Sequence, residues 1–105
     1  MEDPPIGFAV LYRWRLVPGT EERFRSAWRR MTEAIREQRG GRGSRLHRAE
    51  DGTWWAYAQW PDRASWERSR SLPSADEESS RAMAAAIAEA FDPVLLEPVD
   101  DLLQG

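Results

Sequence analysis

One short run constrains the fold more than any other: Thr53-Trp54-Trp55-Ala56-Tyr57-Ala58-Gln59-Trp60. Read as a strand, it sends successive side chains to opposite faces, Trp54 and Trp60 to one and Trp55 and Tyr57 to the other. A strand that is apolar on both faces belongs to a sheet that is covered on both. A second strand-like run, Phe8 to Leu16, puts Phe8, Val10, Tyr12, Trp14 and Leu16 on one face and Arg13 and Arg15 on the other. A chain of 105 residues has helix enough for one cover, so the other is expected from a second copy of itself.

The rest of the chain supplies helices and turns in a definite order. Val17-Pro18-Gly19-Thr20 predicts a turn and a helix start, with Thr20 as N-cap and Glu21 and Glu22 suited to the positive end of the helix dipole. Phe24, Ala27, Trp28, Met31 and Ile35 then recur at helical steps as one buried face, and Gly40-Gly41 ends the helix. A strand over about Ser44 to Ala49 leads through Asp51-Gly52, a hairpin signal, into the tryptophan run. Asp62 would cap a short helix through Trp66, and Ser74-x-x-Glu77 reads as a capping box opening a third helix. The buried face of that helix would include Met83, Ile87, Ala90 and Phe91, with Asp92-Pro93 as its stop. A last strand over about Val94 to Val99 contains Pro98, which suits a strand edge or end.

The order β-α-β-β-α-α-β predicts an α+β, ferredoxin-like domain: a four-stranded antiparallel sheet with helices on one face. Residues 1–105 read as a single domain with an ordered core of about 7–102. Two such sheets packed face to face would make a dimeric α/β barrel.

Composition removes several chemistries. The chain has no cysteine, so disulfides, thiolate metal sites and a cysteine nucleophile are excluded. All fifteen basic residues are arginine, which excludes a Schiff-base lysine. His47 is the sole histidine, so one chain cannot build a two-histidine metal site. The acidic start, Met1-Glu2-Asp3-Pro4-Pro5, does not resemble a secretory signal, and no apolar stretch approaches a membrane span, so a cytoplasmic protein is expected. Nine arginines between Arg23 and Arg48 face only Glu33 and Glu37, while eight acids from Leu72 onward face only Arg81. With a net charge of -3, this asymmetry suits solvated helix faces and intramolecular or intersubunit pairing better than nucleic-acid binding. Arg39-Gly40-Gly41-Arg42-Gly43 lacks the strand-loop-helix setting of a phosphate site, and Asp76-Glu77-Glu78 suits a helix N-terminus.

Two blocks carry a resemblance: Tyr12-Arg13-Trp14-Arg15-Leu16-Val17-Pro18-Gly19-Thr20 before an amphipathic helix, and Trp55-Ala56-Tyr57-Ala58-Gln59-Trp60-Pro61-Asp62-Arg63-Ala64-Ser65-Trp66. Over roughly residues 7 to 102 the chain resembles the antibiotic biosynthesis monooxygenase superfamily of dimeric α+β barrels. That superfamily includes cofactor-free oxygenases of phenolic compounds, haem-degrading oxygenases and members without assigned activity. The haem-degrading machinery has no counterpart: its asparagine and tryptophan positions fall near Tyr12 and Ser69, and no histidine follows His47.

The resemblance to the cofactor-free oxygenases implies a pocket for a small aromatic or phenolic compound, with neither metal nor cofactor. Tyr12 would hold the phenolic oxygen, His47 or an arginine would stabilise its charge, and Trp14, Tyr57 and Trp66 would form aromatic walls. Each residue also has a plain structural role open to it: Tyr12 and Trp66 as core, His47 as a surface or structural residue. Arg13 and Arg15 are expected at the dimer interface, paired with acids such as Glu97. The alternative function is a non-catalytic dimeric module that binds a ligand or only packs.

Overall fold

The computed structural model describes residues 7–103, so Met1 to Pro5 lie outside the described residues. The elements are β1 (Phe8–Leu16), α1 (Glu21–Arg39), β2 (Ser44–Arg48), β3 (Trp54–Trp60), α2 (Arg63–Ser71), α3 (Glu77–Ala86), β4 (Ile87–Ala90) and β5 (Val94–Leu96). The sheet is antiparallel throughout, in the order β2-β3-β1-β4, with β5 also pairing β1. This is the expected ferredoxin-like α+β arrangement, with five strands in place of four.

The extra strand corrects the reading of the third helix. α3 stops at Ala86, and Ile87 to Ala90 turns to pair β1, with Leu16 opposite Ile87 and Trp14 opposite Ala90. Alanine favours helix by only a few tenths of a kcal/mol over most residues, and an unpaired edge of a long strand offers ladder hydrogen bonds instead. Phe91 N–H continues the run by donating to Arg13 O at 3.0 Å, and β5 resumes on the same edge with Ala9 opposite Leu96. Pro98 lies beyond β5, which is shorter than expected.

Thr20 is the N-cap residue of α1 as expected, but its hydroxyl turns back to Val17 O at 2.6 Å and makes no cap bond, and one cap assignment changes. α3 is capped by Asp76, which accepts from Ser79 N–H at 3.1 Å, two residues past the expected Ser74. Asp62 caps α2 as expected, accepting from Ser65 N–H at 2.7 Å. Gly40 closes α1 with φ 81°, a left-handed conformation that glycine adopts without steric cost, and Gly52 turns the β2–β3 hairpin with φ 89°.

The helices cover the sheet face that carries Phe8, Val10, Tyr12, Trp54, Ala56 and Trp60. Phe24 of α1 is fully buried, edge-on to Trp14 at 5.2 Å and to Trp54 at 6.2 Å between centroids. Trp66 of α2 is buried against Phe8 at 5.7 Å. α3 is tied to α1 where Arg30 Nε donates to the buried Ser79 hydroxyl at 3.2 Å. The opposite face has no helix over it and presents Leu11, Arg13, Arg45, His47, Trp55 and Tyr57 in register. Among the described residues, no helix is long and apolar enough to cross a membrane.

Candidate functional site

A cavity of about 210 Å³ lies between α1 and the covered face of the sheet. Its origin is visible in β3. Trp54, Ala56, Ala58 and Trp60 alternate onto the covered face, so two methyl groups form a floor between two indoles. Trp28, Met31 and Ile35 of α1 hang over that floor and are only half-buried, because alanines do not reach them. Tyr12 and Trp14 of β1 close one side, and Gly43 and Ser44 at the start of β2 close the other.

Few polar groups look into this space, and among the described residues no carboxylate, guanidinium or imidazole lines it. Tyr12 is the titratable one. Its hydroxyl accepts a hydrogen bond from Trp66 Nε1 at 2.9 Å, which leaves its own proton to donate. Burial pushes the Tyr12 pKa up, opposed in part by the Trp66 hydrogen bond and the charge of Arg70, so the phenol stays neutral at physiological pH. Arg70 sits over the Trp66 ring at 4.9 Å. Tyr12 and Trp14 stack with centroids 5.9 Å apart and planes within 5°. Ser44 Oγ is buried without a hydrogen-bond partner among the described residues.

The structure divides the five residues that the sequence grouped. Tyr12 and Trp14 line the cavity, and Trp66 supports Tyr12 from behind without forming a wall. His47 and Tyr57 face the other side of the sheet, in a groove with Leu11, Arg45, Trp55 and Leu103. Within one protomer, His47 therefore cannot stabilise a charge held by Tyr12, and Tyr57 is no wall of Tyr12's cavity. The reason is strand parity: Tyr12 pairs with Ala56, whereas His47 pairs with Trp55 and Tyr57 with Leu11. Arg13 lies on that open face, 3.9 Å from the Phe91 centroid and 5.2 Å from that of Trp55, and Arg15 pairs within the chain with Glu89 at 3.4 Å. Ser44, Ala56 and Ala58 went unnoticed in the sequence, although the Trp-x-Ala-x-Ala-x-Trp alternation is the signal for a hollow beneath a helix.

The family model for antibiotic biosynthesis monooxygenases matches residues 7–90. The chain belongs to this family. Solved structures of similar fold include SnoaB, a cofactor-independent oxygenase from Streptomyces nogalater, with a TM-score of 0.76 and 19% identity over 95% of this chain and 100% of that one. Rv0793 from Mycobacterium tuberculosis has a TM-score of 0.71 and 18% identity over 91% and 98% of the two chains. PA3566 from Pseudomonas aeruginosa has a TM-score of 0.68 and 18% identity over 94% and 100%. At such identities the likeness establishes the fold. No curated protein matches the sequence. For this member of the antibiotic biosynthesis monooxygenase family, chemistry has to be argued from the cavity.

Proposed function

We propose that the protein is a cofactor-independent oxygenase that holds a small phenolic ring in the α1–sheet cavity, with Tyr12 as its catalytic hydrogen-bond donor. The observation that supports this reading is the half-buried Tyr12 hydroxyl, which accepts from Trp66 and keeps its own proton to donate, on a residue that lines an aromatic cavity. A neutral donor in an apolar setting stabilises a phenolate more than the same donor in water. The phenolate supplies electrons to dioxygen. One oxygen atom replaces hydrogen on a ring carbon, the other leaves as water with the phenolic and ring protons, and the phenol becomes a quinone. The substrate is its own reductant, so no cofactor is required for the balance.

No base lines the cavity among the described residues, so the phenolic proton passes to solvent. The rate should therefore rise with pH along the substrate's own ionisation. The same absence of a base favours a second reading, a binding module that encloses an aromatic ligand without turnover. Oxygen uptake with small phenols and hydroquinones separates the two. Uptake above the uncatalysed rate, abolished by Ala58→Phe and reduced by Tyr12→Phe, supports the oxygenase; binding without uptake leaves the module.

The assembly we propose is a homodimer through the open sheet face. Leu11, Trp55 and Tyr57 there are only half-covered, and a second copy of the same sheet would cover them.

A further inference from the structure

We infer that the substrate is an aromatic oxyanion, a ring system of one or two rings whose carboxylate or phosphate group stays outside the cavity against Arg36 and Arg42. The inference rests on the cavity as the ligand site and adds what kind of molecule that site admits. Size sets the first limit, because a cavity of about 150 Å³ takes up benzene. At about 210 Å³ this one holds a single ring comfortably and two fused rings tightly. Charge sets the second limit, since among the described residues no charged side chain lines the cavity and an unpaired anion buried there would be strongly disfavoured.

Outside lies a depression of about 320 Å³ that shares Thr32, Gly43, Ser44 and Gln59 with the cavity, so the two spaces are continuous at the β2 side. The character of the wall changes across that threshold. The inner space has indoles and alanines, and the outer one has the guanidinium groups of Arg36 and Arg42 before it rounds the β2 edge to Arg45 and Tyr57 on the open face. Among the described residues, salt bridges engage Arg15, Arg25 and Arg63, and none engages Arg36 or Arg42. Two uncompensated cations beside one opening, in a chain of net charge -3, make a local anion site. Beside the threshold lies the buried Ser44 Oγ, without a hydrogen-bond partner among the described residues.

The test is isothermal titration calorimetry on the full chain with 2-naphthol, 6-hydroxy-2-naphthoate and 2-naphthyl phosphate. At low salt one or both anions should bind about ten-fold tighter than the neutral naphthol, as expected for charge-assisted pairing with arginine. The double variant R36Q/R42Q, exposed positions that leave the open sheet face untouched, should erase that advantage and leave 2-naphthol unchanged. Added salt should erode it in the wild type. Which anion gains distinguishes carboxylate from phosphate. Equal binding of all three, or an advantage that survives R36Q/R42Q, overturns the inference while leaving the cavity reading in place. Binding of none overturns the cavity reading as well. Ala58→Phe, or the milder Ala58→Leu if the first does not fold, should abolish all binding. Binding that persists in a folded variant puts the ligand elsewhere and overturns both.

Discussion

The indole N–H of Trp66 donates to the Tyr12 hydroxyl at 2.9 Å, joining α2 to β1. That bond fixes the hydroxyl's role, because an oxygen that accepts from behind is left to donate forward. It also makes α2 part of the site without placing any α2 side chain in the cavity.

Tyr12→Phe removes the hydroxyl and strands a buried indole N–H. The expected loss is about 1–3 kcal/mol of stability, read as a lower Tm in thermal unfolding, together with about ten-fold weaker binding of phenols. Trp66→Phe in the Tyr12→Phe background should cost little more, since the stranded donor is gone. A double variant whose losses simply add would show that the two groups are not coupled.

Alkaline stability depends on the same hydroxyl. Below its ordinary pKa of 10.0, Tyr12 is protonated in folded and unfolded chains alike, and its contribution is intact. Above that value the unfolded chain loses the proton first, because burial raises the folded-state pKa, and stability falls as pH rises. Denaturant titrations at increasing alkalinity should show this fall, and Tyr12→Phe should flatten it. An unchanged slope in the variant would show that Tyr12 ionises as readily folded as unfolded.

At the acid end the relevant group is Asp76. Hydrogen bonds from the Ser79 backbone and side chain hold its pKa below the ordinary 3.8. Its contribution is therefore complete above that value and disappears as pH falls through the folded-state pKa. Asp76→Ala should lower Tm near neutrality, and the gap to wild type should close in acid. Asp76→Asn keeps a capping oxygen without the charge, so it should remain close to wild type near neutrality and lack the acid-dependent part. Circular dichroism melts at a series of acid pH values would reveal either pattern.

Self-association through the open face should respond to single changes there. Leu11→Asp places a charge in the register row of Tyr57 and Arg45 and should convert a dimer to monomers in sedimentation velocity. Phenol binding in the covered cavity should survive. A wild-type monomer would leave the apolar open face needing a different partner.

Much of this architecture could be read from residue alternation. The faces of β1 and β3 follow from their odd and even positions, and the extent of α1 follows from Phe24, Ala27 and the glycines that end it. The end of α3 could not be read in this way. Ile87-Ala88-Glu89-Ala90 has good helical character, and only the vacant edge of β1, distant in sequence, makes it a strand. The candidate site was half legible for a related reason. Composition identified the aromatic and polar residues, but assigning His47 to a face required the register of β2 against β3. Ser44 carried no signal in the sequence, since its importance lies in lacking a partner, which only the packed structure reveals.

The alternation of Trp54, Ala56, Ala58 and Trp60 along β3 separates two properties that usually change together. Cavity volume is set by two methyl groups on one strand, whereas the hydroxyls of Tyr12 and Ser44 come from the strands on either side. A substitution at Ala56 or Ala58 can thus resize the chamber without moving the hydroxyls on the flanking strands. The size of the chamber and the polar groups beside it are written on different strands, and a lineage built on this sheet can exchange one while keeping the other.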